Sequence, residues 1–314
     1  MTTALSRIRW RSIAILIPFL VLFAVLAIGS RPFLNPVNLL NILDQQSATL
    51  MIAAAGTLVL VGGGIDLSVG ATYALSGVVS AQLAIAFGIV PGIIGGLAVG
   101  TIVGAINGVV STLLRINALI ATLAMSFIVS GVSSVVTGGN LIVLTNRPDF
   151  AAIAQTPFLG VRTSIWVMLV VVVVLGVLLA RTTVGRYLYA AGGNAEAARL
   201  AGIRVAGVRI LAFTLSGAAA GLGGIMDTSR VLSAQASAGT ALTFTVLAGI
   251  VVGGTSILGG EGAIWRTVVG VLFIALIGNG FNLLGVNALF QQITLGVILL
   301  LAVGIDAWTR VLRR

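Results

Sequence analysis

Residues 183–205, TVGRYLYAAGGNAEAARLAGIRV, form a polar and charged island between long apolar runs. The second half of the island carries the signals of a short helix. Asn194 is a favoured N-cap residue, Glu196 falls in the first turn where the helix dipole stabilises an anion, and Gly202 is a typical terminator. Only about two turns fit between cap and terminator, so this helix can lie on a surface but cannot cross a membrane.

The two faces of this short helix differ in chemistry. Ala197, Leu200 and Ala201 are spaced at i, i+3 and i+4 and form a small apolar stripe. Glu196 and Arg199 are three positions apart and are predicted to pair on the other side. The pattern fits two interpretations, an ordinary interfacial loop helix or a docking element for a cytoplasmic partner.

The sequence around the island determines the class of protein. The chain of 314 residues is 59% hydrophobic and 8% charged, and its mean hydropathy is +1.19. Apolar runs of about 20 residues, the length that crosses the hydrocarbon core of a bilayer, recur along the whole chain. We therefore predict an all-α polytopic membrane protein in which residues 1–314 form one transmembrane domain.

Several residue types that carry chemistry are missing from the sequence. The chain contains no cysteine and no histidine, so we predict no metal site, no cofactor and no catalytic centre. All 17 basic residues are arginine, which rules out a phosphate-binding loop of the G-x-x-x-x-G-K-[ST] type and leaves any ATP-driven work to another chain. The net charge of +10 is distributed between the apolar runs, which argues against nucleic acid as a partner.

The apolar runs predict about ten transmembrane helices. The first could instead belong to a signal peptide, but no A-x-A-like cleavage site follows Ile28 and further apolar runs do, which favours a retained helix. The predicted spans are 13–28, 46–61, 67–87, 92–113, 119–136, 165–180, 210–226, 242–258, 267–284 and 290–306.

The arginines predict the orientation of these spans. With the N-terminus inside, thirteen arginines are cytoplasmic and four are external, a strong positive-inside bias. Both termini and the island then face the cytoplasm, and the longest external loop covers residues 138–164. The predicted cytoplasmic arginines are Arg7, Arg9, Arg11, Arg115, Arg181, Arg186, Arg199, Arg204, Arg209, Arg266, Arg310, Arg313 and Arg314. The predicted external arginines are Arg31, Arg147, Arg162 and Arg230.

One predicted span carries a ridge of glycines. Glycine recurs at every fourth residue of the span, at Gly96, Gly100, Gly104 and Gly108, so another helix can approach one face closely. Asn107 lies beside this ridge, and it either bonds across helices or faces a pore.

Two stretches interrupt the apolar runs with glycine and an acid, GGGIDLSVG at 62–70 and GGTSILGGEG at 253–262. Irregular backbone at membrane depth is tolerated only where it is buried in protein or lines water, so these stretches are candidate gates or supports at the cytoplasmic end. Asp66 alternatively is the N-cap of the following span, and Glu261 is placed to pair with Arg266. The candidate residues are Gly63, Gly64, Asp66, Ser68, Gly254, Gly260 and Glu261.

The predicted membrane interior contains few formal charges but many amides and hydroxyls. Such groups suit a neutral, hydroxyl-rich solute better than an ion, because carriers coupled to protons or sodium usually need an ionisable or carbonyl-rich site near the midplane. The candidate pore-lining residues are Gln46, Asn107, Ser126, Asn279 and Asn282.

Five segments together resemble the permease subunits of bacterial sugar importers of the ATP-binding cassette (ABC) class, the ribose/xylose/galactoside type. The resemblance runs from residue 38 to residue 309. The segments are GGGIDLSVGA at 62–71, INGVVSTLLRINALIATLAMSFIVSGV at 106–132, GRYLYAAGGNAEAARLAGI at 185–203, VVGGTSILGGEGA at 251–263 and NGFNLLGV at 279–286.

The resemblance implies a transport subunit without catalytic activity in the bacterial cytoplasmic membrane. Its implied partners are ABC ATPase subunits, a soluble substrate-binding protein and a second permease, identical or related. The island, extended to residues 183–207, would be the cytoplasmic loop whose helix couples to the ATPase. The residues that match this motif are Gly192, Gly193, Asn194, Glu196, Arg199 and Gly202.

The chain departs from the family pattern at residues 242–245, which read LTFT where relatives commonly read tyrosine, glutamate, leucine and aspartate. Both carboxylates are missing, so the substrate cannot be inferred by analogy. The alternative function is a self-sufficient secondary carrier or channel for a small neutral solute. An intramembrane enzyme would need a cluster of catalytic residues, and the sequence offers no such cluster.

Overall fold

The computed structural model describes residues 15–287 and 289–311, and within those ranges the chain is mostly helical. The described residues form fourteen helices and four strands of two residues each. The helices are α1 Leu16–Gly29, α2 Pro36–Gln45, α3 Ser47–Val61, α4 Val69–Phe87, α5 Ile89–Thr112, α6 Ala118–Thr137, α7 Pro148–Gln155, α8 Thr163–Arg181, α9 Thr183–Gly193, α10 Ala195–Leu200, α11 Val205–Val231, α12 Leu242–Val252, α13 Ile264–Leu283 and α14 Leu289–Val311. The strands are β1 Ile142–Val143, β2 Pro157–Phe158, β3 Val161–Arg162 and β4 Ser233–Ala234.

The architecture confirms an all-α polytopic membrane protein. Among the described residues, six helices are long and apolar enough to cross a bilayer, namely α4, α5, α6, α8, α11 and α13. Shorter apolar helices, α1, α3, α12 and the 289–301 part of α14, coincide with the remaining predicted spans. The number of ten crossings and the cytoplasmic position of the termini stay predictions.

Part of the first span and six arginines cannot be compared with the structure. Residues 13 and 14 of the predicted 13–28 span lie outside the described residues, and α1 begins at Leu16 and covers the rest of the span from there. The side chains that lie outside the description are those of Arg7, Arg9, Arg11, Arg310, Arg313 and Arg314.

The second predicted span, 46–61, agrees with α3, which runs from Ser47 to Val61. The helix before it, α2, was not predicted. It begins at Pro36, where proline occupies the first turn and Asn35 Oδ1 accepts a hydrogen bond from Val37 N at 2.9 Å. The chain passes from α2 into α3 with little interruption, since the backbone N–H of Gln46 donates to Ile42 O and Leu50 N donates to Gln46 O. The amide side chains near residue 46 therefore lie at a junction inside a long helical segment.

The glycine ridge of α5 packs closely against α11, as the four-residue spacing predicts. A methyl group at Gly100 would lie 2.4 Å from the carbonyl oxygen of Gly217, and one at Gly104 would lie 2.3 Å from the carbonyl oxygen of Phe213. Because neither position has room for a side chain, glycine is required for this helix approach. Helix α4 packs against both α5 and α11 and completes this core.

The two ends of the helix bundle have different structures. At one end, here called the strand end, β1 pairs antiparallel with β4, and Leu144 N donates to Leu232 O at 2.9 Å. At the other, the glycine end, the turns after α3 and α12 meet the junction between α9 and α10. The island therefore lies at the opposite end of the bundle from the paired strands.

Residues 235–241, QASAGTA, run from the strand end into the bundle and are called the descending segment. Gly239 packs directly on Gly70, the second residue of α4, and Thr243 Oγ1 accepts a hydrogen bond from Gly70 N at 3.1 Å. Helix α12 thus begins inside the bundle and has only 11 residues. The predicted 242–258 span is too long, because the helix ends at Val252 and Gly254 adopts a positive φ of 81°.

Candidate functional site

The island folds as two helices joined at Asn194. Asn194 Oδ1 accepts a hydrogen bond from Ala197 N at 2.9 Å, which confirms the predicted N-cap. Arg199 donates to Glu196 across 2.6 Å, as their spacing predicts. Gly202 ends the helix with φ of 82°, in the left-handed region that favours glycine. The local signals of the sequence are thus sufficient to define α10.

The apolar stripe of α10 faces away from the rest of the chain. Ala198 is the buried residue of this helix, whereas Ala197 and Ala201 are exposed. Leu200 is 80% exposed and lies beside the charged Glu196 and Arg199. The result is a small apolar surface with polar neighbours that no other described part of the chain covers.

Three glycine-containing segments meet directly behind this surface. Gly260 N donates to Val61 O at 2.9 Å, and Gly259 packs against Gly63. A methyl group at Gly192 would lie 1.8 Å from Val61 O and 2.6 Å from Gly260 N. The segment predicted to couple to an ATPase therefore contacts both stretches that were predicted to be gates or supports.

Two side chains tie the same segments together by hydrogen bonds. Arg209 of α11 donates from Nε to Gly62 O at 2.8 Å and from Nη2 to Ala191 O at 3.1 Å. Tyr189 of α9 donates from its hydroxyl group to Gly262 O at 2.8 Å. Sequence reasoning treated Arg209 only as a cytoplasmic charge and missed Tyr189. One signal in the sequence could have indicated a structural role for Arg209, since it is a cation at the fifth residue of a long apolar helix.

Asp66 is not the N-cap of α4. The helix begins at Val69, after Ser68, and Asp66 lies two residues earlier in the turn. Its Oδ1 accepts from the backbone N–H of Ser68 at 3.0 Å and from Ser68 Oγ at 2.7 Å, and its Oδ2 accepts from Ser216 Oγ at 3.0 Å.

Asn107 belongs to the same buried network. Its Nδ2 donates to Ser68 Oγ at 2.7 Å, which is the first of the two roles that the sequence left open, a bond across helices. Thr122 of α6 adds a further link, since its Oγ1 accepts from Leu67 N at 3.0 Å. The turn after α3 is thereby fixed to α5, α6 and α11, and Asn107 does not line either cavity described below.

The remaining gate candidates lie in the turns at the glycine end. Gly64 packs against the ring of Phe213, and Gly254 adopts the positive φ that ends α12. Glu261 is exposed and interacts electrostatically with Arg266, as the sequence predicted.

Three of the five candidate pore-lining residues share one cavity. The cavity has a volume of about 340 Å³ and lies between the α2–α3 junction and helices α12, α13 and α14. Gln46, Asn279 and Asn282 line it, and Asn279 is held by an amide pair in which its Nδ2 donates to Asn38 Oδ1 at 2.9 Å. We call it the amide cavity, because Gln45, Gln291 and Gln292 also line it. Ser126 lies elsewhere, on α6.

Comparison with known proteins identifies the family. Residues 38–303 match the family described as the branched-chain amino acid transport system / permease component. The ribose import permease protein RbsC of Escherichia coli K12 is 40% identical over 298 residues, 93% of this chain and 92% of that protein. RbsC of Bacillus subtilis 168 is 41% identical over 295 residues, which cover 92% of this chain and 91% of that protein. No solved structure matches the chain.

A relative with a different named sugar matches as well. The L-arabinose ABC transporter permease protein AraH of Azospirillum brasilense is 38% identical over 301 residues, covering 96% of this chain and 88% of that protein. The match therefore extends over almost the full length of transport permeases, which agrees with the six apolar helices long enough to cross a membrane among the described residues. The chain belongs to the family of branched-chain amino acid transport system permease components, and within it the chain resembles the permeases of sugar ABC importers.

Proposed function

We propose that this chain is the membrane-spanning subunit of a bacterial ABC importer for a sugar or a related neutral polyol. A binding protein delivers the solute, separate ATPase subunits supply the energy, and the chain itself has no catalytic role. The observation that carries the proposal is the exposed apolar stripe of α10. Directly beside it, Arg209 hydrogen-bonds α9 to the end of α3 and the start of α11. The named relatives support the sugar as the substrate class.

The glycine end of the bundle would face the cytoplasm of the cell. Among the described residues, more arginines lie at the glycine end than at the strand end, and cytoplasmic loops are the ones enriched in arginine. The arginines at the glycine end are Arg115, Arg181, Arg186, Arg199, Arg204, Arg209 and Arg266. Those at the strand end are Arg31, Arg147, Arg162 and Arg230. This orientation presents α10 to a cytoplasmic ATPase in the inner membrane.

A push on α10 would move several helices together. The junction between α9 and α10 contacts Val61 at the end of α3 and Gly260 in the turn before α13. The backbones are so close that no side chain fits between them. Arg209 adds α11 to the same unit. Closely packed elements transmit displacements as rigid bodies, so closure of an ATPase pair would reposition these helix ends and alternate the opening of the transport path.

The amide cavity supplies the surface for the transported solute. Its amide groups carry no charge, and each offers both donors and an acceptor, which matches the hydroxyl groups of a sugar. A second permease, either a copy of this chain or a related one, would complete the path. Gln46 lies at the α2–α3 junction and Asn279 lies on α13, so their separation changes when α13 moves relative to the junction.

Reconstitution of the full chain with an ABC ATPase and a binding protein from neighbouring reading frames tests the function. We expect ATP-dependent uptake of ribose, arabinose or a related sugar, and we expect Glu196→Arg, which reverses a charge on α10, to uncouple ATP hydrolysis from uptake. Vesicles with the wild-type chain alone should neither hydrolyse ATP nor concentrate sugar. Accumulation by the chain alone would establish the alternative, a self-sufficient carrier or channel.

A further inference from the structure

A second cavity lies apart from the amide cavity and from the glycine end. It has a volume of about 470 Å³ and lies between α4, the last turn of α11 and the residues that follow β4. Pockets of this size hold small organic ligands in other proteins. We call it the Asp227 cavity, and its polar lining residues include Tyr73, Asp227, Thr228, Ser233 and Gln235.

The Asp227 carboxylate is the centre of its polar lining. Asp227 accepts hydrogen bonds from the hydroxyl group of Tyr73 and from Arg230, whose Nε lies 2.8 Å from Oδ1. The Asp227 and Arg230 side chains are only 24% and 22% exposed, so the pair is largely shielded from bulk water. Of the two, Asp227 lines the cavity, whereas Arg230 donates to it from Nε and Nη2 and balances its charge without lining the cavity itself.

The descending segment separates the two cavities. Gln235 and Ala238 line the Asp227 cavity, while Ala241, the last residue of the same segment, lines the amide cavity with Thr245. The space on the α4 side is open because small residues form its wall, among them Ala74, Gly77 and Ala238. One strip of seven residues thus forms part of the wall of both cavities.

We propose that the Asp227 cavity binds a neutral polyhydroxylated solute of monosaccharide size. The carboxylate oxygens of Asp227 accept hydrogen bonds from hydroxyl groups, and the Gln235 amide and the Ser233 hydroxyl group can donate to hydroxyl oxygens, so together they can hold adjacent hydroxyls of one ligand. The two charges cancel, which favours a neutral ligand over an ion. An aromatic wall residue with a few convergent polar groups is typical of small-molecule sites. The choice of a sugar as the ligand rests on the proposed function, and a second sugar site apart from the amide cavity goes beyond it.

Binding to the purified full chain in lipid nanodiscs tests this site without any partner. The probes are radiolabelled D-ribose, L-arabinose, D-xylose and D-galactose, with L-leucine as a solute that lacks the polyol. We expect saturable binding of at least one sugar and none of leucine. Asp227→Asn removes the charge that organises the site, and Ala238→Leu fills the space while the Asp227–Arg230 pair remains. Each change should weaken binding at least tenfold.

Asp149→Asn is the matched control, since Asp149 also pairs with a nearby arginine, Arg147, but outside both cavities. It should bind sugar like the wild type. Thermal unfolding of each variant identifies any that misfold. If Asp227→Asn misfolds, Ala238→Leu still tests the site. The proposal is wrong if no probe sugar binds the wild type, or if a folded Ala238→Leu binds with unchanged affinity. Neither result bears on ATP-driven uptake by the complete importer, so the two proposals fail separately.

Discussion

Arg209 donates from Nε to the carbonyl oxygen of Gly62 over 2.8 Å, which joins the longest helix of the described chain to the turn that follows α3. Its Nη2 reaches Ala191 in α9 at 3.1 Å. One side chain therefore bridges three elements, the turn after α3, helix α9 and helix α11. In the proposed importer, we expect this bridge to carry movement from the island to the helices.

Substituting Arg209 with lysine should weaken the link while the charge is kept. A guanidinium group donates in two fixed directions, whereas an ammonium group is a single point with a flexible stem, so lysine cannot satisfy both carbonyl groups with the same geometry. We expect sugar uptake by the reconstituted importer to fall several-fold relative to ATP hydrolysis. The measurement is the ratio of sugar transported to ATP hydrolysed in proteoliposomes.

Arg204→Lys is the control for this change. It is the same substitution at an arginine that is exposed before the start of α11 and bridges no carbonyl groups of the described chain. Its ratio should match the wild type. An Arg209→Lys importer with an unaltered ratio would show that the bridge does not transmit movement.

Gly192 and Gly193 give a matched pair of glycine substitutions. A methyl group at Gly192 would collide with the backbone of Val61 and Gly260, while a methyl group at Gly193 meets no atom within 4 Å. Overpacking of a tight contact typically costs about 1–3 kcal/mol, so Gly192→Ala should lower the thermal unfolding temperature of the purified chain by several degrees. Gly193→Ala should unfold like the wild type.

Measuring sugar uptake by the two variants distinguishes a loss of stability from a loss of coupling. We expect Gly192→Ala to lose most uptake even at a temperature where it remains folded, because the three glycine segments can no longer meet. Equal stability of the two variants would mean that the close approach at Gly192 is not part of the folded protein.

How much of this arrangement the sequence could predict depends on the distance between the residues involved. The cap at Asn194, the pair of Glu196 with Arg199 and the terminator Gly202 act within a few residues of one another, and all three agree with the structure. The glycine ridge of α5 was also predictable, because a four-residue repeat determines one helix face. Local chemistry therefore gave the surface of the candidate site.

The support behind that surface was not predictable in the same way. Contact of Gly192 with Val61 and Gly260 joins residues more than 60 positions apart, and glycine has no side chain whose pattern could indicate a partner. The descending segment was missed because QASAGTA has the composition of an ordinary loop, although it packs inside the bundle. Helix α2 was missed because it is amphipathic and contains polar residues that a search for apolar runs rejects.

Leu200 should be the apolar anchor of the ATPase contact. It is 80% exposed, so Leu200→Ser should leave the fold unchanged. Burial of a leucine side chain contributes about 1.5–3 kcal/mol, and its loss should weaken binding of the isolated ATPase subunit by about tenfold or more. Surface plasmon resonance with the permease in nanodiscs measures this affinity.

Leu159→Ser provides the comparison, since Leu159 is 79% exposed but lies at the strand end. It should bind the ATPase with wild-type affinity. If instead Leu200→Ser retains full affinity, α10 is the ordinary interfacial helix that the sequence also allowed, with Leu200 directed toward lipid.

The amide cavity predicts which polar residues determine transport and which do not. Asn279→Leu removes an amide that lines the cavity and is held in place by Asn38, and it adds bulk in the same space, so we expect sugar uptake by the complete importer to fall at least tenfold. Ser126→Ala changes a residue that the sequence also suggested for the pore but that lies on α6 away from the cavity, and its uptake should stay near the wild-type rate. Initial rates of radiolabelled sugar uptake, measured with equal amounts of folded importer, distinguish the two. The opposite order, with Ser126→Ala impaired and Asn279→Leu active, would place the transport path beside α6 rather than between the α2–α3 junction and α13.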